Sequence, residues 1–397
     1  MKSGCLSDGK VPGMDAPCPH RPSHSIDFLK PQTGAPAARR SDMVRIDGSH
    51  IEGGGQILRT ALALSILTGR PFRAERIRQN RPSAGLKPQH LSAIQALIRM
   101  SGARATGAAI GAGEIEFIPG NLTPGDYSLN IGTAGSVTLL LQALLLPCLF
   151  ADGEMILRLG GGTDTRWSIP VDYFTHLILP VFRRFSGIEV FEMHRGFYPR
   201  GQGALGLKIR PEPRPARITD GAALLAALRR RSPELDLSTR REVAGIQGVS
   251  AAASVLEKAR VAERQAEAAR DALGSSLPVA IREEYCRSAS PGTVITLWAV
   301  DREGRALAGG DALGERGKPA EAVGREAAQK LRHTLSTEAA VDIHLADNLI
   351  PLLALVGGQI RTVGISDHIR ANMYVCERFL DVRFKVDEAA ALIGVER

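Results

Sequence analysis

The sequence predicts a mixed α/β (α+β) fold assembled from repeated βαβαββ units, and three observations predict it. Residues 43–119 alternate strand-like and helix-like patterning in the order strand, helix, strand, helix, strand, strand. Residues 127–211 run through the same order again. Each stretch turns from its first strand into its first helix through a glycine-rich corner, at Gly53-Gly54-Gly55 in one and Gly132 to Gly135 in the other. The same element order twice, with the same punctuation, marks an internal repeat.

In the first stretch the apolar run Met43, Val44 and Ile46 predicts a strand. The corner follows, then a helix with apolar Ile57, Leu58, Ala61, Leu62 and Ile66 that stops at Gly69. A strand covers Phe72 to Ile77. The next helix carries Pro88 in its first turn and ends at Gly102, and a strand around Glu114 to Ile118 closes the stretch. In the second, a strand over Tyr127 to Ile131 leads to a long helix reaching Leu149. A strand over Met155 to Leu159, a helix over Pro170 to Phe185 and strands near 188–192 and 204–209 complete it. A third unit is partly visible at the C-terminus: helix Val341 to Leu355, strand Gln359 to Val363 and helix His368 to Phe379, with Asp367 as its expected N-cap. Between 225 and 330 the pattern changes to a charged, alanine-rich helix (Ala251 to Leu273) and a strand (Thr293 to Val300), which predicts a smaller inserted α/β domain. The expected layout is an N-terminal extension over 1–41, disordered because it is rich in Pro, Gly, Ser and Arg, a large domain over 42–224 and 331–397, and the insertion over 225–330.

A length of 397 residues fits about two to three domains. Net charge is +8 with pI near 9.5, which suits a polyanionic partner or an anionic substrate. Aromatics make up 5%, so a surface of many stacking rings is excluded and recognition of a backbone or a chain end suits the composition better. The five cysteines are scattered without metal or CxxC spacing, as in a reduced, cytoplasmic protein, and Cys148 and Cys376 sit in apolar helical runs. The apolar run Leu139 to Phe150 is too short to span a membrane.

The chemistry-bearing residues cluster at corners. The first glycine corner carries the carboxylate Glu52 and, one helical turn in, Arg59. A helix N-terminus with close-approaching backbone favours a phosphate, and a carboxylate beside it suits a divalent metal. The segment is neither a P-loop nor the dinucleotide fingerprint, because the spacing differs from both. Arg78 and Arg81, with Lys87, Gln89 and His90, bracket the turn before the second helix; two guanidinium groups three residues apart make a phosphate clamp or a solvated loop. Gln142 is a polar side chain inside an apolar helix and needs a partner. Asp347 is a carboxylate amid Leu345, Leu349 and Ile350. His368 follows a strand at the start of a helix, where a neutral imidazole can serve as a nucleophile or simply as structure.

These motifs, taken in order, resemble the RNA 3′-terminal phosphate cyclases over nearly all of 43–390. The matching segments are Asp47-Gly48…Glu52-Gly53-Gly54-Gly55-Gln56-Ile57-Leu58-Arg59 and Arg78…Arg81…Gly85-Leu86…Gln89-His90-Leu91. Then come Gly132-Thr133-Ala134-Gly135-Ser136 with Gln142, Gly161-Gly162-Thr163-Asp164, and Gly196-Phe197-Tyr198-Pro199…Gly201-Gln202-Gly203. Leu345-Ala346-Asp347 and Asp367-His368 with Glu377-Arg378-Phe379 complete the series.

The resemblance implies three repeated βαβαββ units in one large domain with a smaller inserted α/β domain. It also implies an ATP-dependent conversion of an RNA 3′-terminal phosphate to a 2′,3′-cyclic phosphodiester through histidine-AMP and RNA-adenylate intermediates. By the same resemblance His368 carries the AMP, Glu52 holds Mg2+ (or Mn2+), and Arg78, Arg81 and Gln89 handle the substrate phosphate. Arg59, Gln142, Pro170 and the run His344, Leu345, Ala346, Asp347 and Asn348 match nucleotide-binding positions. His344 stands where the family often has tyrosine, Asn348 where glutamine is common, and Ile169-Pro170 where a Pro-Pro pair is found. The implied partners are ATP and RNA with a 3′-terminal phosphate. Two rival readings are a catalytically inactive, cyclase-like ribosome-assembly factor that binds RNA, and an enolpyruvyl transferase; His368, Glu52 and the clamp arginines argue against the first, and the histidine after the Ile360–Val363 strand against the second.

Overall fold

Val44 and Ile46 face inward and Arg45 outward, so β1 (Val44–Asp47) buries one face, as a period of two requires. The structure is a computed structural model that describes residues 43–51, 53–211 and 221–395. The expected N-terminal extension, and Glu52 with it, lies outside the described residues.

Helix α1 (Gly55–Thr68) follows β1 and ends at Gly69, which adopts the left-handed cap conformation expected of a helix-terminating glycine. Then come β2 (Phe72–Glu75), α2 (Pro88–Ser101), β3 (Arg104–Thr106) and β4 (Ile115–Ile118). The first sheet has the order β1-β2-β4-β3, with β1 and β2 parallel and the remaining pairs antiparallel. The second stretch gives β5 (Gly125–Asn130), α3 (Val137–Leu149), β6 (Met155–Gly161), α4 (Val171–Tyr173), α5 (Leu179–Phe182), β7 (Ser186–His194) and β8 (Gly203–Pro211). Its sheet has the order β5-β6-β8-β7, again with one parallel pair followed by two antiparallel pairs.

After α6 (Gly221–Arg231) and the short β9 (Leu235–Leu237) the chain builds β10 (Gly245–Ala253), α7 (Val261–Leu273), β11 (Val279–Cys286), β12 (Thr293–Val300), β13 (Ala306–Leu313) and α8 (Ala320–Leu335). It closes with α9 (Ile343–Val356), β14 (Gly358–Arg361), α10 (Asp367–Phe379), β15 (Phe384–Asp387) and β16 (Leu392–Val395). Strands β10 to β13 form one sheet, in the order β11-β10-β12-β13. Strand β9 belongs elsewhere: it pairs in parallel with β14, giving a sheet in the order β15-β16-β14-β9.

Three local expectations need correction. The stretch read as helix from Ala251 begins as β10, and its helix starts only at Val261. Alanine favours helix in isolation, but here Ala251, Ala252 and Ala253 are buried in a strand hydrogen-bonded on both sides. The helix expected over 170–185 is broken by a π-turn at Phe174–Ile178, where the amide of Leu179 reaches back to the carbonyl of Phe174. Pro180 has no N–H to continue the regular ladder at that point. The N-cap of α10 is Ser366, whose side chain accepts from the Ile369 amide, and Asp367 is already in the first turn.

Helix α1 is buried almost all round and packs against α10, α3 and α2. Together with α3 and α9 it forms the centre of the main apolar core. A second core lies between the β10–β13 sheet and helices α7 and α8. On β12, Ile295, Leu297 and Ala299 face that second core, while Val294, Trp298 and Val300 face the main one, so the strand carries no polar alternation. The two parts are also joined by a buried ion cluster. Arg195, at the end of β7, meets Asp164 at 3.3 Å, Asp172 at 2.7 Å and Glu284 of β11 at 2.5 Å.

Removing that guanidinium strands two buried carboxylates. Arg195→Ala is expected to lower the unfolding free energy by about 3–5 kcal/mol, read as a fall in the urea midpoint, with Arg195→Lys recovering only part of it.

Candidate active site

Helices α1, α3, α9 and α10 converge on a cleft lined among others by Gln56, Thr138, Gln142, Asp347, Asn348 and Asn372. Each helix points a polar side chain into an otherwise apolar interior, and these side chains satisfy one another.

Asp347, on α9, is 7% exposed. One of its oxygens accepts from the Gln56 amide of α1 and, at 3.0 Å, from Asn372 Nδ2 of α10. The other lies 3.4 Å from His368 Nδ1. Thr60 Oγ1 donates to Asn372 Oδ1 at 2.7 Å and fixes that amide, and the Gln56 amide also reaches the backbone carbonyl of His368 at 3.3 Å. The His368 ring is half-exposed, in the second position of α10. A carboxylate beside Nδ1 fixes the proton there and assigns the lone pair to Nε2.

A second chain of contacts runs beside the first. Arg59 Nε donates to Gln142 Oε1 at 2.7 Å, Gln142 Nε2 to Asn348 Oδ1 at 2.8 Å, and Asn348 Nδ2 to the His344 carbonyl at 2.8 Å. Gln142 therefore has the partner its apolar surroundings demand. His344 stands edge-on to Tyr173, with ring centroids 6.2 Å apart. The Ile169 carbonyl just before Pro170 accepts from Thr138 Oγ1 at 2.9 Å, which ties Pro170 to the cleft wall. Leu345 and Ala346 are buried in the apolar core, so their side chains are packing groups.

The α1 N-terminus has no side-chain cap and no acidic residue in its first turn. Its N–H groups need a partner, and the helix dipole favours an anion. Cations gather there instead. Burial pushes the Arg59 guanidinium down to about 10, with Asp347 opposing the shift and Arg78 adding to it. Burial and then Arg81 lower Arg78, whose Nε has no hydrogen-bond partner among the described residues. Arg78 also adopts a positive φ of 56°, an uncommon conformation for a side-chain-bearing residue. Arg81 and the half-buried Gln89 complete the turn and the start of α2.

Sequence reasoning places His90 at the clamp turn but assigns no separate role to Gln56 or Asn372. His90 is 1% exposed, and its Nδ1 accepts the Lys87 amide at 3.0 Å, so its proton sits on Nε2. That N–H has no partner among the described residues and lies against α1: a Cβ built on Gly55 would stand 2.1 Å from it. Only glycine fits there. Burial first, then Arg59, Arg78 and Lys87, push the imidazole down to about 3, so it is neutral at physiological pH. The signal for His90 was its place in the Gln89-His90-Leu91 motif. Gln56 sits in the first corner motif, whereas Asn372 has no sequence signal.

The corner loop is pinned to α10. The His50 ring stacks on Tyr374 at 4.0 Å, and the Tyr374 hydroxyl accepts from the Asp47 amide at 3.0 Å. This holds the described part of the corner loop, Asp47 to His50, against the helix that bears His368. Among the described residues no group of three or more His, Cys, Asp or Glu could hold a metal ion, and Asp47 is occupied by Arg76 and Ser49. The described residues therefore do not form a metal cage by themselves. No described helix is long and apolar enough to cross a membrane.

Fold and site together define a mixed α/β protein whose cleft sets a carboxylate-oriented histidine beside a cation-rich helix N-terminus. A family profile described as RNA 3′-terminal phosphate cyclase matches residues 50–386. The protein of that name from Thermococcus onnurineus is 45% identical over 350 residues, covering 87% of this chain and 96% of the relative. Those from Pyrococcus furiosus (43%, 87% and 95% covered) and Methanosarcina mazei (39%, 89% and 99% covered) are similar along nearly their whole lengths. The chain belongs to the RNA 3′-terminal phosphate cyclase family and is an enzyme of the ligase class. A solved enolpyruvyl transferase from Streptomyces tendae is 12% identical, with a TM-score of 0.19 and coverage of 89% of this chain and 81% of that one; a likeness that low carries no argument.

The folded pKa of His90 lies below its usual 6.5, so between about pH 3 and 6.5 the unfolded chain binds the extra proton. The stability this group contributes is present above that window and lost as pH falls through it, by about 1.4 kcal/mol per unit. From about pH 7 to about pH 5 the wild type is expected to lose about 2 kcal/mol more unfolding free energy than His90→Gln. Equal losses in denaturant melts would mean that His90 is protonated in the fold.

Proposed function

We propose that this enzyme converts an RNA 3′-terminal phosphate to a 2′,3′-cyclic phosphodiester at the expense of ATP. The observation that carries the reading is His368 Nδ1 facing Asp347, a carboxylate that also acts on the buried Arg59. Family membership gives the reaction class, and the residues supply a path through it.

With its proton held on Nδ1 toward Asp347, His368 attacks the α-phosphorus of ATP through Nε2. A P–N bond forms, the P–O bond to the β-phosphate breaks, and pyrophosphate leaves with the electron pair. An oxygen of the RNA 3′-phosphate then attacks the same phosphorus. The P–N bond breaks, the imidazole recovers its lone pair, and an RNA-adenylate results. Last, the vicinal 2′-hydroxyl loses its proton and attacks the 3′-phosphorus, expelling AMP. Activation is needed because a phosphomonoester dianion repels nucleophiles and lacks a good leaving group. The closing step gains from a hydroxyl already held close.

In this reading Arg59 and the α1 N-terminus meet the negative charge that builds on the nucleotide phosphates. Arg78, Arg81 and Gln89 hold the RNA phosphate. Gln142, Asn348, His344 and Pro170 border the base and ribose, with Leu345 and Ala346 contributing backbone only. Glu52 is the proposed contact for Mg2+ or Mn2+, and no step above is routed through it. We assign the chain three βαβαββ units whose sheets are β1–β4, β5–β8 and β9 with β14–β16. The insertion then spans about Gly245 to Leu335, between β9 and α9, because β9 pairs with β14. An inactive assembly factor would have no need of an oriented histidine in a cationic cleft.

Incubated with α-labelled ATP and magnesium, the protein is expected to retain acid-labile label, and His368→Ala to lose it. A wild type that never labels would sink the reading. Asp347→Asn keeps the shape but not the charge, so labelling is expected to slow by about 10- to 1,000-fold. Arg78→Ala and Arg81→Ala are expected to impair cyclisation more than self-labelling; equal losses would assign both to ATP.

A further inference from the structure

Trp167 combines two costs. Its side chain is 85% exposed, the most exposed of the large apolar residues among those described, and its backbone has a φ of +67°. A bulky residue in the left-handed region is an outlier, costing about 1–2 kcal/mol, and such strain collects where a side chain must be presented. The turn is braced from below: Ser168 Oγ donates to the Thr165 carbonyl at 2.9 Å and lies 3.1 Å from Thr165 Oγ1. From one side the Arg166 guanidinium lies over the indole, 5.1 Å from the ring centroid, and also 3.7 Å from Glu315.

The ring is not alone. Asp164 forms a β-bridge with Phe197, which places the turn carrying Tyr198, 73% exposed, next to the turn carrying Trp167. Exposed Arg200 follows Tyr198, its amide bonded to Ser290 at 3.1 Å. Two exposed rings and two guanidinium groups thus share one rim. That rim abuts the cleft: Trp167 stands two residues, at most about 7 Å of chain, from the Ile169 carbonyl that Thr138 of the cleft wall holds.

We infer that Trp167, with Tyr198, is a stacking platform for the unpaired bases just upstream of the RNA 3′-phosphate, while Arg166 and Arg200 meet the phosphates between them. The inference rests on the proposed function and extends it from the chain end to the strand behind it. Stacking on an aromatic face does not depend on base identity, so a platform suits an enzyme that recognises an end. A scarcity of aromatic residues makes one displayed pair informative, since no broad ring-lined surface exists to hide it.

Trp167 and Trp298 are the two tryptophans, and Trp298 is buried. In a Trp298→Phe background the emission therefore reports Trp167. Titration with a single-stranded, 3′-phosphorylated RNA of about eight nucleotides is expected to quench it, and a blunt duplex of the same sequence is not. In the otherwise intact protein, Trp167→Ala is expected to weaken binding of that single strand by about 5- to 150-fold, with Trp167→Phe recovering most of the loss. Affinity for a nucleoside 3′-phosphate, which has no upstream base, is expected to stay within about twofold. Wild type that binds the single strand, with Trp167→Ala unchanged or with both ligands equally weakened, overturns the platform and leaves the proposed function standing. Wild type that binds no 3′-phosphorylated RNA overturns both.

Discussion

One buried carboxylate organises the site. Asp347 sits where three helices meet, and it can be there as an anion only because Gln56 and Asn372 donate to it while Arg59 lies within its field. Those partners come from α1 and α10, so satisfying the charge also fixes how the helices sit against one another. His368 takes its orientation from the same group. The imidazole is therefore not placed by its own helix alone. Its ring is held by a charge on α9, and its backbone carbonyl by an amide on α1. Loss of either partner would leave an uncompensated polar group inside an apolar core, so stability and chemistry are coupled here by construction.

The cations next to this carboxylate present the opposite problem. Arg59 is buried, Arg78 has an unsatisfied buried nitrogen, and the neutral His90 points an N–H with no described partner at a bare helix N-terminus. Each group is costly to bury without an acceptor. Arg78, His90 and the helix N–H groups lack the same thing, namely an oxyanion. A phosphate entering beside Gly55 would meet the helix N–H groups and His90 together, and it would restore the guanidinium pKa values that burial depresses. An anion accepting from these donors would offset the cost of burying them, which favours phosphate groups over neutral ligands of the same size.

Much of this was legible before any coordinates. Strand alternation and glycine stops located most elements of the first two stretches, and an isolated glutamine in an apolar helix marked Gln142 as partnered. What was not legible depended on distance along the chain. Gln56 reads as an ordinary helix residue until Asp347, 291 positions away, is set against it. The strand at Ala251 was hidden because alanine by itself favours helix, and only neighbours on both edges make it a strand. Leu345 and Ala346 were drawn in by a contiguous motif, yet successive helical residues point about 100° apart and cannot all face one cleft.

The placement of the polar groups gives the proposed repeat a chemical consequence. With the proposed insertion set aside, helices α1, α3 and α9 each follow a parallel-pairing strand, and all three line the cleft. Thr60, Gln142 and Asn348 each lie five positions after the first residue of their helix; Arg59 and Asp347 each lie four after; Gln56, Thr138 and His344 each lie one after. Positions one, four and five fall on one helical face. The same face of the same element is thus polar in every unit, and the three faces meet. A single unit could offer a ligand only one such edge. Three offer an enclosed set of donors and one acceptor, with the residue type at each position free to differ: cation on one helix, anion on another, amide on the third. The cleft can then hold opposite charges close together without either helix carrying both.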